Sequence, residues 1–267
     1  MSRNQAEAAY DQGIASLKCG RAEEAMHSFN QALLFDETFT KALQQRAFLY
    51  FIAGDSALAL HDCNSAIEID DCDPWSYLHR AMVHSKLKQF VQTIVDCTRA
   101  IDLSPTLAVA YTERGSAYCE LRRFAEAIAD FSRAQEINPK DPVNYICRAV
   151  AFDEVGKYRD AIRDFSRAID LSPEDPMGYF SRALAYHKID DFANAITDYD
   201  RVLEMEPDLS DAVQNRKIAE GQLKNQRAAV RPRRATVGGA QAADEGEAKR
   251  GKVVDIFTKL EIGQGEN

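Results

Sequence analysis

The residues able to do chemistry are present in this chain, but their spacing does not assemble them. Five histidines (His27, His61, His79, His84, His187) and six cysteines (Cys19, Cys63, Cys72, Cys97, Cys119, Cys147) are scattered along 267 residues. Metal capture on a helix needs two such ligands at i, i+4, or a short Cys-x-x-Cys step. Neither spacing occurs, so no metal and no cofactor is expected. Cys119 and Cys147 could face a groove, but a thiol nucleophile needs an activating base beside it, and none adjoins either. The chain has no His-Glu-x-x-His, no Gly-rich phosphate loop and no nucleophile elbow. Its many carboxylates read as solvated helix faces, since an acid–base pair needs a shared cleft. Enzymatic activity is therefore not expected.

Charged side chains do recur at a fixed interval. Arginine stands at 46, 80, 114, 148, 182 and 216, and aspartate at 62, 96, 130, 164 and 198, each step being 34 residues. One reading is an anion-binding stripe. The other is an ion-pair ladder between two helices, because a planar guanidinium suits a partly buried carboxylate. The sequence favours pairing within one repeat but leaves Arg216 open, with Asp198 as a candidate partner from the repeat before.

The same interval governs the rest of the chain. TIVDCTRAIDLSP, AIADFSRAQEINP and AIRDFSRAIDLSP end at Pro105, Pro139 and Pro173. The period runs without insertion through repeats 6–39, 40–73, 74–107, 108–141, 142–175 and 176–209. Each repeat predicts two helices, A and B. In the fourth, Tyr111, Gly115 and Tyr118 share one face of A, and Ala127, Phe131 and Ala134 one face of B. Small residues at positions eight and twenty (Gly115, Ala127) let the helices approach, and the ring at position twenty-four fills the space beyond. Pro105, Pro139, Pro173 and Pro207 are expected to stop helix B. Cys63 and Cys97 replace that ring in repeats two and three, which are expected to pack less tightly. A further helix over about 210–226, with Ser210 as N-cap, puts Lys217 and Glu220 outward and reads as a polar cap.

This pattern resembles the tetratricopeptide repeat (TPR) family. The matching positions are the aromatics Tyr77, Tyr111, Tyr145 and Tyr179, then Tyr50, Tyr118, Phe152 and Tyr186, then Phe29, Phe131, Phe165 and Tyr199, with the small residues and prolines between. The resemblance implies an all-α TPR solenoid, a right-handed superhelix of six helix-turn-helix repeats plus a C-terminal capping helix. It implies a protein–protein interaction adaptor or scaffold whose A helices line a concave groove.

The family's ligand-facing positions carry apolar residues here. Position two supplies Trp75, Val109, Val143 and Met177, position five Leu78, Ile146 and Phe180, and position nine Met82, Val150 and Leu184. They are expected to form exposed apolar patches that bind a partner peptide; the alternative is burial between adjacent A helices. The carboxylate clamp of TPR co-chaperones needs Lys and Asn at positions five and nine. Repeat one has Tyr10 and Ile14, and no other repeat supplies the pair, so heat-shock protein C-termini are not expected partners. The Asn ladder of TPR glycosyltransferases is missing too.

Composition bounds the rest. Net charge is -9, which disfavours a nucleic-acid partner. No run of about 18 apolar residues and no secretory leader is present, so no membrane partner is expected. Reduced cysteines point to the cytoplasm. Residues 1–227 read as the array, 228–252 as a flexible linker and 253–262 as a short amphipathic helix. In that helix Val253, Ile256, Phe257 and Leu260 form one apolar face, a candidate ligand for the chain's own groove. Thr236, after Arg233 and Arg234, resembles a basophilic kinase site. A self-assembling scaffold (a homo-oligomer) and a regulatory subunit of an enzyme complex are the alternative functions.

Overall fold

The structure is a computed structural model that describes residues 2–230. Among the described residues there are 13 α-helices and no strand. They are α1 (Ser2–Lys18), α2 (Ala22–Phe35), α3 (Thr40–Ala53), α4 (Ser56–Ile69), α5 (Pro74–Lys86), α6 (Phe90–Leu103) and α7 (Ala108–Glu120). There follow α8 (Phe124–Ile137), α9 (Pro142–Glu154), α10 (Tyr158–Leu171), α11 (Pro176–Lys188), α12 (Phe192–Met205) and α13 (Ser210–Val230). Odd-numbered helices are the A helices and even-numbered ones the B helices. From α1 to α12 each helix packs on the next, Tyr199 and Val202 of α12 cluster with Ala212 and Ala219 of α13, and α3, α5, α7 and α9 also touch in succession. That combination makes a solenoid.

Local chemistry sets the helix ends. Asp73, Asp141 and Asp175 cap α5, α9 and α11 by accepting the N–H of Ser76, Val143 and Met177, and each helix opens on proline. Helix B stops at the same place whether or not proline follows. After α2 and α4, where proline is missing, Asp36 and Asp70 accept the N–H of Thr38 and Cys72 and turn the chain instead. Every A-to-B turn needs one left-handed residue. Gly20, Gly54 and Gly156 supply it without strain, whereas Lys88, Arg122 and Asp190 are held at φ near +58°. Ser210 is the first residue of α13 rather than the cap before it.

The core lies between A and B. Phe29, Phe131, Phe165 and Tyr199 are buried, and so are Cys63 and Cys97. A Cβ added at Gly115 would lie 2.8 Å from the Phe131 ring, and one at Gly13 would lie 2.5 Å from that of Phe29. In these two repeats, then, any larger residue on helix A would force the ring to shift.

Candidate peptide-binding groove

The arginine ladder positions the groove. Arg46, Arg80, Arg114, Arg148 and Arg182 each grip the aspartate of their own repeat through Nε and Nη2, at 2.6–2.9 Å. The carboxylates are buried and the guanidiniums largely so. The remaining nitrogen, Nη1, reaches back one repeat to Asn30, Asn64, Thr98, Ser132 or Ser166. One arginine therefore ties A to B and repeat to repeat. Arg216 has no aspartate of its own and takes Asp200, not Asp198. Asp200 holds the same position as Asn30 and Ser166. That polar position at twenty-five was legible as a fixed-phase run of Asn, Thr, Ser and Asp, and sequence reasoning passed over it.

The expected groove residues divide in two. Leu78, Ile146 and Phe180 are 1%, 4% and 8% exposed. The expectation that they form a surface patch is corrected: position five points into the junction between successive A helices. Leu78 packs with Ala110, and Phe180 with Ala212. The polar members of this position show the same direction, Gln44 donating to Ser76 Oγ at 2.7 Å and Thr112 to Asn144 Oδ1 at 2.7 Å. The other seven remain at the surface. Trp75 and Val109 are exposed at 46% and 38%, and Met82, Val143, Val150, Met177 and Leu184 are half-buried.

The structure adds members that were not singled out. Phe48 and Phe51 of α3 stack at 6.4 Å, Phe48 lies 6.0 Å from the His79 ring, and Trp75 lies 6.2 Å from the same ring. Phe48, Phe51 and His79, with Ala47 and Met82, line a small apolar cleft. Aromatics at positions nine and twelve of repeat two, next to Trp75, were the available signal. Lys86 lies 4.7 Å over the Phe51 ring and donates to the Phe51 carbonyl. Burial lowers the pKa of His79 to about 4, so the imidazole is neutral at pH 7, and its Nδ1 has no hydrogen-bond partner. Asp153 Oδ1 and Ser181 Oγ, on the A helices α9 and α11, are also buried without partners.

Nucleophilic chemistry finds no support in the thiols. Cys63, Cys97, Cys119 and Cys147 are buried and free. Desolvation pushes Cys63 and Cys119 up to about 12 and also raises Cys97 and Cys147. Asp70, Asp71 and Cys72 bring three donor atoms within 4.8 Å of one another, but all three residues are fully exposed at a helix end. α13 runs on through residues 228–230, which the sequence assigned to the linker; the rest of the linker, Thr236 and the proposed tail ligand (Val253, Ile256, Phe257, Leu260) lie outside the described residues.

An all-α solenoid of helix pairs, with a polar ladder inside and apolar side chains on the A-helix face, defines a class of protein-interaction scaffolds. Family profiles described as tetratricopeptide repeat match residues 108–141 and 148–210. Those two stretches therefore match tetratricopeptide repeats. No curated protein sequence matches the chain. Among solved structures it is similar to "Crystal structure of APC/C hetero-tetramer Cut9-Hcn1", with a TM-score of 0.70 and 21% identity over 80% of this chain. The match spans only 43% of the length of that chain. It is similar to the pilF protein of Pseudomonas aeruginosa, with a TM-score of 0.71 and 14% identity over 83% of this chain and 99% of that one. It is also similar to YrrB, described as a TPR protein with an unusual peptide-binding site, with a TM-score of 0.60 and 16% identity over 71% and 97% of the two chains. At these identities the likeness concerns the fold.

Proposed function

We propose that this chain is an adaptor that holds an apolar or amphipathic segment of a partner protein along the A-helix face. The observation that carries this reading is the run of surface apolar side chains from Trp75 through Val109 and Val143 to Met177, with Met82, Val150 and Leu184 beside it. An indole left 46% exposed among other rings costs hydration free energy that a partner side chain would recover. Phe48, Phe51 and His79 extend the surface into repeat two. Met82 and Met177 suit ligands of varied shape, because an unbranched thioether repacks easily. No catalysis is proposed.

The chain contains a single tryptophan, so Trp75 emission reports occupancy of this surface directly. The first probe is a synthetic peptide of residues 253–262. Titration into the full chain should blue-shift the emission and saturate, and Met177→Asp with Val143→Asp should weaken binding by about tenfold or more. Emission that stays constant with this peptide and with unrelated amphipathic peptides would defeat the reading. Self-assembly keeps one observation in its favour, namely the uncovered Val213 (49%) and Ile218 (45%) on the last helix of the array. A light-scattering mass that stays monomeric at high concentration removes it.

A further inference from the structure

One cleft among the described residues lies outside the groove. It measures about 440 Å³ and sits where α8, α9 and α10 meet, lined in part by Gln135, Tyr145, Arg148, Arg163, Arg167 and Asp170. Three departures from the repeat open it. Position twenty-eight is apolar in the other five repeats (Leu33, Ile67, Ile101, Ile169, Leu203), and here it is Gln135. Position twenty-two is an arginine only in repeat five, as Arg163. The third is a missing closure. In repeats three and six the arginine at position twenty-six covers the tyrosine at position four. Arg99 lies 5.8 Å over Tyr77 and Arg201 lies 6.0 Å over Tyr179. Tyr145 has no such cover: Arg148 lies over Phe152, and Arg167 is near Asp170 at 3.9 Å.

The charges in this cleft are unevenly used. Asp164 is fully engaged by Arg148. Arg163 meets only Asp160, one helical turn away at 3.1 Å, and its side chain is 72% exposed; that of Arg167 is 67% exposed. Exposed pairs of this kind contribute little and exchange readily for a better acceptor. Two guanidinium forks beside an uncommitted amide and an open aromatic face match carboxylates carried on a polypeptide, which also offers backbone groups to Gln135.

We infer that this cleft is a second interaction site, which takes an acidic segment of a partner protein. It is independent of the groove, since it shares no residue with it. The surrounding chain helps the test: at a net charge of -9, acidic probes are repelled from most of its surface. The experiment is fluorescence anisotropy of a labelled oligoglutamate peptide against the full chain at low salt. Saturable binding is expected, weakened about tenfold or more by Arg163→Gln with Arg167→Gln. Gln135→Ile restores the residue type of the other repeats and should close the cleft, weakening binding while leaving the melting temperature the same or higher. Arg201→Gln, on the equivalent position of repeat six, should leave binding unchanged. Absence of saturable binding, or equal affinity in the wild type, the double variant and Gln135→Ile, overturns the inference.

Discussion

Repeats two and three differ from repeats four to six in where they keep their rings. In the later repeats Phe131, Phe165 and Tyr199 are buried between the paired helices. In the earlier ones that position holds Cys63 and Cys97, and the rings stand on the A-helix face as Phe48, Phe51, Trp75 and His79. The ladder does not register the difference. Arg46 and Arg80 hold Asp62 and Asp96 in the same geometry as Arg114 and Arg148 hold theirs. The lesson is a division of labour. Register comes from directional, charge-assisted hydrogen bonds, so the apolar filling between helices can vary, and aromatic surface can serve stability in one region and recognition in another.

The largest expected effect tests the interior half of this comparison. Phe131→Ala should cost about 3–5 kcal/mol in repeat four, where the ring closes directly on Gly115. Cys97→Ala removes only a sulfur, worth about 1 kcal/mol at the scale of one methylene. Denaturant melts of the two variants, with hydrogen exchange to localise each loss to its repeat, would break the comparison if the losses were equal.

The ladder should behave alike in both regions. Arg80→Ala and Arg148→Ala each leave a buried aspartate without its partner, at a cost of about 3 kcal/mol. Lysine should not rescue either, because a point charge cannot make the two-armed bond and the backward one together. A loss in repeat three much smaller than in repeat five would show that the thiol-packed repeats rely on the ladder less.

A smaller effect concerns pH and belongs to repeat three alone. The His79 pKa is lowered to about 4 by burial. The unfolded chain therefore takes up a proton first, and this residue's contribution to stability is present above about pH 6.5 and lost as pH falls towards 4. Asp73 faces the ring and opposes the shift, but burial dominates. His79→Phe should flatten the acid limb of the melting profile relative to wild type, with no change at pH 8. Parallel limbs would show that other groups carry all of the acid sensitivity.

The smallest effect is a gain. Arg122 occupies a left-handed turn at φ 58° that Gly54 and Gly156 occupy without strain. Arg122→Gly should raise stability by up to about 1 kcal/mol, the relief of strain exceeding the added freedom of the unfolded chain. A lower melting temperature would mean that its contact with Glu154 and its ring contact with Phe124 matter more.

Much of this was readable in advance where one residue's own chemistry decides the outcome. The repeat phase, the helix pairs, the glycine or alanine at position eight and the aspartate at position twenty-three follow from type and interval. The readings that failed involve two repeats at once. Position five looked like groove surface because helical periodicity gives a direction around one axis but not the distance to the next helix. Phe48 and Phe51 fall at the family's ligand-facing positions nine and twelve, but the meeting of Phe48 with His79 crosses from α3 to α5 and is not legible in either repeat alone.

The sequence by itself determined that this chain is a stack of helix pairs, since the pattern that makes each pair is local and repeats every 34 residues. Only the tertiary structure decided how one pair sits on the next. That choice sends Leu78, Ile146 and Phe180 inward, gives Arg216 to Asp200, and leaves Tyr145 uncovered beside Arg163. The physical reason is that a side chain's periodicity records which way it leaves its own helix, whereas burial and pairing depend on the rotation and spacing between helices, which many side chains set together.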